Sequence, residues 1–269
     1  MVMDSEKESF DIITDFIKQS NSKFIIDGNT VRKLRNDVQK FSDNCIEEID
    51  KFLLKKLYDD RFVKPVPYDP AALFQFYPCL KLKKGFHIDS HFTSNPGSRS
   101  SSRGYVYVIP DGYKLPIPES VELDEALWLY LSWGEAGSEV VNLPEWAHED
   151  VASFLEGDGS PLSYFQSSIF VRDLYELGAS WHGLQWGVNK VLVSYDQIPK
   201  DEKWTWHEPK PDNWLPLVWK DKNDDWNVSF YTHDDMKSEI IFHNDIYRKG
   251  YSFEVFCFTI ASSYQAKMF

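Results

Sequence analysis

The residues whose types and spacing could do chemistry fall first in one short run, His87-Ile88-Asp89-Ser90-His91. On a β-strand, positions two apart point to the same side, so two imidazoles and a carboxylate would share one face. That set suits non-haem iron or zinc. The spacing opposes it: at ~3.3 Å per residue, His87 and His91 stand ~13 Å apart on a straight strand and need a bend to share an ion. A half-buried strand accounts for the same pattern, with Phe86, Ile88 and Phe92 inward and the polar set toward water.

The His-x-Asp half resembles the proximal metal pair of 2-oxoglutarate-dependent iron oxygenases. Such enzymes need a distal histidine and a basic residue for the co-substrate carboxylate, and His182 and Lys190 are the nearest matches. A metal-dependent enzyme using His87, Asp89 and His182 is therefore one reading. Other chemistry has no foothold. There is no GxSxG elbow, no P-loop and no GxGxxG. The serine-rich stretch 94–104, with Arg99 and Arg103, is either a phosphate-cradling nest or a plain hairpin loop. The run from Trp181 to Gly187 is either a binding edge or a tight helix-to-strand corner. The sequence thus predicts no catalytic set, no cofactor and no bound metal.

The 269 residues carry a formal charge of −13, with 42% hydrophobic and 16% aromatic side chains. Such a chain can bury a core. Its field repels nucleic-acid backbones and membrane surfaces and steers basic partners. Lys81, Lys83, Lys84, Arg99 and Arg103 are the one basic cluster near a loop. The surplus of tryptophan and tyrosine lines either an interface or an aromatic-rich core. Cys45, Cys79 and Cys257 are odd in number and form no CxxC. They read as buried thiols in a reducing cytosol. The N-terminus lacks an apolar h-region and no run of 18 apolar residues occurs, so a cytoplasmic protein is expected.

The elements that must position these residues are legible from periodicity. Ser5 and Glu8 have capping-box spacing, with Phe10, Ile13, Phe16 and Ile17 on one helical face. A second, longer helix is capped by Asn29 or Thr30. Its stripe of Val31, Leu34, Val38, Phe41, Cys45, Ile49, Phe52 and Leu53 continues toward Tyr58. Strands are expected over Leu73–Leu82, Gly85–Phe92 and Tyr105–Pro110. Helical spacing recurs over Val121–Trp133, Glu145–Leu155 and Pro161–Leu177. Strand returns at Val191–Tyr195, followed by a tryptophan-rich polar loop at 201–214. Short strands joined by tight turns predict antiparallel pairing. The expected class is α+β: two N-terminal helices, mainly antiparallel sheet, mid-chain helices and C-terminal antiparallel strands. Two proline-punctuated blocks, 1–112 and 113–269, are suggested, with packing as one domain an open alternative.

The C-terminal stretch adds a resemblance. Trp214-Leu215-Pro216 opens a strand, Asn223-Asp224-Asp225 makes a turn, and Trp226–Thr232 is a second strand. Asp234-Asp235 makes an acidic turn before Glu239–His243, and Tyr251-Ser252-Phe253-Glu254 opens the last element. This order is similar to the SUKH superfamily, which includes bacterial toxin-immunity proteins and a fungal cell-wall regulator. The turn at 223–225 lacks the family's glycine, and residues 1–112 are not covered. The resemblance implies an α+β fold without catalytic residues, a helix from Tyr251, and neutralisation of a partner protein. The expected partner-binding residues are Asp224, Asp225, Trp226, Tyr231, Asp234, Asp235 and Glu239, facing a basic toxin or effector.

Overall fold

The computed structural model describes residues 2–53, 62–94, 102–114, 144–179, 186 and 189–263. In chain order its elements are α1 (Val2–Gln19), β1 (Lys23–Ile25), α2 (Gly28–Leu53), β2 (Phe62–Pro65), β3 (Leu80–Leu82), β4 (Phe86–Ser94) and β5 (Ser102–Pro110). Then come β6 (Leu155–Gly157), α3 (Pro161–Tyr175), β7 (Asn189–Leu192), β8 (Trp204–Trp206), β9 (Leu217–Lys220), β10 (Trp226–Asp234), β11 (Glu239–Lys249) and β12 (Ser252–Ser263). The fold is α+β, and every pairing in the two larger sheets is antiparallel.

The chain forms two compact units. One gathers residues 1–35, 157–169 and 188–269, and the other residues 36–156 and 170–187. A single cut at 112/113 does not reproduce them, because the chain passes between the units four times.

The first unit is built on a seven-stranded sheet of order β1-β9-β10-β11-β12-β8, with β7 also pairing β10. Adjacent strand residues face opposite ways, and both faces of this sheet are covered. On one face Phe10 of α1 meets the edges of Phe242 and Phe258 at 5.6 and 5.1 Å. It joins Leu192, Ile198, Trp214, Ile240 and Ile260 in one core. Burying such a phenylalanine stabilises by about 2–3 kcal/mol. On the opposite face, the first half of α3 sets Phe165 against Phe230. Its Ser163 and Ser168 bond the hydroxyls of Tyr251 and Tyr247, each at 2.7 Å. Coverage on both sides explains why β10 is buried almost throughout rather than alternately. The polar residues it buries pair across strands. Trp219 donates to Ser229 at 3.0 Å, Ser229 to Asn244 at 2.7 Å, and Asn244 to Asn227 at 3.1 Å.

The second unit holds β2–β4–β5 as one antiparallel sheet and the β3–β6 pair. Val38, Cys45 and Ile49 of α2 are buried in it, and burial pushes the Cys45 thiol up to about 12. The second half of α3 places Phe170 against Phe74 and Tyr77 at 4.4 and 5.2 Å. The carboxylate of Asp173 accepts from the Tyr77 hydroxyl and, at 2.6 Å, from the Trp186 indole N–H.

Several local expectations change. Asp27, not Asn29 or Thr30, caps α2, accepting from the Thr30 N–H at 2.9 Å. Leu73–Phe76 lies in a 3-10 helix led by Pro70, its first turn held by Asp69. Residues 145–155 are not an α-helix, because β5 captures their backbone: Val108 and His148 exchange N–H···O bonds of 2.8 and 2.9 Å. A short 3-10 turn follows at Ala152–Phe154, where Asp150 accepts from the Ser153 N–H at 3.3 Å. Where the SUKH resemblance implied a helix from Tyr251, β12 runs for twelve residues against β11. Its aromatic and β-branched sequence suits a pleated surface. Cys257 is exposed and Cys79 partly so, and only Cys45 is a buried thiol. The helix expected at Val121–Trp133 lies outside the described residues.

Candidate functional site

β10 separates the expected partner-binding residues into two groups. Its nine residues span about 27 Å at ~3.4 Å each. Asp224, Asp225 and Trp226 stand at one end, while Asp234, Asp235 and Glu239 stand at the other.

At the first end, the β9–β10 turn is organised by Asp221. Its carboxylate accepts from the N–H groups of Asn223 and Asp225 at 2.8 and 3.1 Å. Asp224 takes φ = +67°, a left-handed position that aspartate tolerates better than most side chains do. Lys220 pairs with Asp224 at 2.6 Å and lies 4.9 Å from the centre of the Trp226 ring. Trp226 stacks on Tyr164 at 5.1 Å and lies 6.0 Å from Phe24. Tyr164 stacks in turn on Tyr251 at 5.0 Å. Phe24 is 44% exposed and its neighbour Ile25 is 60% exposed. Both belong to β1, the outermost strand on this side of the sheet. Among the described residues no strand pairs with its outer edge.

The second end is pinned internally. Buried Asp234 accepts from the N–H groups of Met236 and Lys237 at 2.9 and 3.0 Å, which closes the turn into β11. Asp235 pairs with Lys190 and, at 2.8 Å, with Nδ1 of buried His233. Glu239 sits opposite Asp234 in the ladder. Tyr231 lies between the two ends but packs inward against Trp214 and Phe242 at 5.2 and 5.3 Å. Burial pushes its phenol above the ordinary range.

The His87–His91 strand is β4, and its polar face is not uniformly turned to water. His87, Asp89 and His91 lie opposite Ile109, Tyr107 and Tyr105 of β5. Tyr107 and Ile109 form a small core with Tyr105 and Trp146. His91 is buried on that side, and burial pulls its imidazole below the usual value against the opposing effect of Asp89. His87 stays half-exposed and faces Asp111 at 3.5 Å. Among the described residues, no three His, Cys, Asp or Glu side chains are placed to hold a metal ion. His182, the proposed distal ligand, lies outside them.

The other candidates disperse. Lys81 pairs with Glu156 at 3.4 Å, and Lys83 donates to the Ser153 carbonyl at 2.6 Å. From the Trp181–Gly187 run, Trp186 is buried. Among the described residues, no helix is long and apolar enough to cross a membrane. Sequence reasoning missed Phe24 and Tyr164. The signal for Phe24 was the apolar run Phe24-Ile25-Ile26 between two helices; Tyr164 carries no local signal. No family model, curated protein or solved structure matches the chain.

Proposed function

We propose that this chain is a non-enzymatic, cofactor-free protein-binding protein of the cytoplasm that neutralises a basic toxin or effector, as an immunity or antitoxin protein does. One observation carries the reading. Tyr164, Trp226 and Phe24 form an aromatic row beside an edge strand with exposed Ile25, next to the carboxylates of Asp221, Asp224 and Asp225. Partly exposed aromatics beside charged rims have the composition of an interface centre. The outer edge of β1 adds backbone donors and acceptors that a partner strand can pair with. The chain's charge of −13 supplies the long-range attraction for a basic partner. Residues 113–150 alone contain nine Asp and Glu against the single Lys114. The SUKH resemblance points to the same class of activity.

The test is affinity capture from the organism that encodes the chain, using wild type and a Phe24→Ser/Trp226→Ala variant. The expected result is a basic protein retained by wild type and lost by the variant. An acidic partner, or equal retention by both baits, overturns the reading.

A further inference from the structure

We propose that Tyr195, Trp206 and Trp214 form an aromatic cage for a quaternary ammonium group, a cage that Lys210 of the same chain fills when no ligand is present. The tryptophan-rich stretch 201–214, expected as a loop, contains β8 and has no part in the surface around Trp226. Its Trp206 and Trp214 converge with Tyr195. Trp214 stands 6.1 Å from Tyr195 at 46° and 6.2 Å from Trp206 at 72°. The Lys210 ammonium lies 4.1 Å from the centre of the Tyr195 ring and 5.1 Å from that of Trp206. Both distances fall within the ~6 Å range in which a ring face attracts a cation.

The walls are held by rigid elements and the occupant is not. Tyr195 opens a short 3-10 turn, Tyr195–Gln197, closed by a capping box. In it Gln197 accepts from the N–H groups of Val193 and Ser194 at 2.6 and 3.0 Å. Trp206 ends β8 and is registered against Ala261 of β12. The next residue, His207, donates its N–H to Ile260 at 2.9 Å. Trp214 is buried in the α1-covered core and backs the Tyr195 and Trp206 rings. Lys210 sits in an exposed loop between Pro209 and Pro211. Its side chain can leave without disturbing the core.

The chemistry selects the ligand class. A trimethylammonium group carries a full charge, is less strongly hydrated than a primary ammonium, and presents methyl groups to ring faces. Removing the tethered competitor raises the competent fraction, so apparent affinity should rise by about fivefold, the weight of a contact worth ~1 kcal/mol.

The experiment titrates choline and tetramethylammonium into wild type, Lys210→Ala and Tyr195→Ala, read by tryptophan fluorescence and by NMR. The uncharged isostere 3,3-dimethylbutan-1-ol is the control. Saturable choline binding, about fivefold tighter in Lys210→Ala, is expected. Tyr195→Ala, a change at a 45%-exposed side chain that leaves the core intact, should abolish it. Co-sedimentation with phosphatidylcholine vesicles separates the sources. Retention of Lys210→Ala that choline reverses assigns a lipid headgroup, and no retention assigns a free small molecule. The proposal fails if choline gives no saturable response in Lys210→Ala, if Tyr195→Ala binds as well, or if the isostere binds equally. Lys210 is then only a staple for its loop.

Discussion

Replacing Asp173 with alanine tests how the second unit holds itself together. Asp173 is buried on α3 and accepts from Tyr77, which is fully buried, and from Trp186. The alanine variant removes the acceptor and leaves two buried donors to find others. Hydrogen bonds to a charged group contribute ~1.5–3 kcal/mol each, so the loss should be about 4 kcal/mol. Tyr77→Phe removes one donor and keeps the Trp186 bond, so it should cost about 1–2 kcal/mol. Because both changes strike one network, the double variant should cost less than the sum, by about 1–2 kcal/mol. The assay is urea denaturation followed by circular dichroism across the three variants. A loss under about 1 kcal/mol for Asp173→Ala, or strict additivity in the double variant, refutes the network as a source of stability.

Three further outcomes follow from the geometry. Burial lowers the imidazoles of His91 and His233, against Asp89 in the first case and against Asp235, Glu202 and Asp234 in the second, with Lys190 adding to the lowering. The unfolded chain therefore takes up protons first. The contribution of both groups is complete above about pH 7 and is lost as pH falls through ~6.5 toward their folded values; denaturation midpoints across that window should show the slope, and His233→Gln should reduce it. Gly178→Ala should destabilise by about 2–4 kcal/mol in the same assay. Its φ is +76°, and an added Cβ would overlap the Tyr68 hydroxyl and lie 2.8 Å from Ile49 Cδ1. His87→Ala should change stability by less than about 0.5 kcal/mol, as expected for an exposed pair. A larger loss, accompanied by one stoichiometric metal ion in the wild type, would revive the oxygenase reading.

Much of the scaffold is legible in the sequence where one element carries a long pattern. Of the α2 stripe, Val31, Leu34, Val38, Cys45 and Ile49 are buried, Phe41 is half-buried, and the side chains of Phe52 and Leu53 lie outside the described ones. β10 and the start of β11 were readable because their aromatic and β-branched runs are bounded by aspartate turns, whereas β12 follows a turn at Gly250 and the resemblance had implied a helix there. Misreadings fall where tertiary partners override local spacing. Residues 145–155 have helical periodicity, yet the backbone bridge from His148 to β5 keeps them from forming an α-helix. β1 is three residues long and gave no periodicity to read. The surface around Trp226 was half visible. Asp224, Asp225 and Trp226 are adjacent in sequence, but Tyr164 and Phe24 arrive from elements about 60 and 200 residues away. The acidic turns misled in another way. Asp234 and Asp235 looked like surface charge, and the fold uses them to close a turn and to pair with Lys190 and His233.

The central claim is that a basic partner docks on the Phe24–Trp226–Tyr164 surface, steered by the neighbouring carboxylates. Binding kinetics of the captured partner test it most directly, with wild type, Trp226→Ala, and an Asp221→Asn/Asp224→Asn/Asp225→Asn variant. Asparagine keeps the turn, since it still accepts the Asn223 N–H and tolerates the left-handed position at 224. Trp226→Ala should speed dissociation about thirtyfold, the equivalent of ~2 kcal/mol at an interface anchor. The triple variant should slow association several-fold at low salt and leave dissociation nearly unchanged. Dissociation from Trp226→Ala at the wild-type rate, with association of the triple variant undiminished at low salt, would contradict the account.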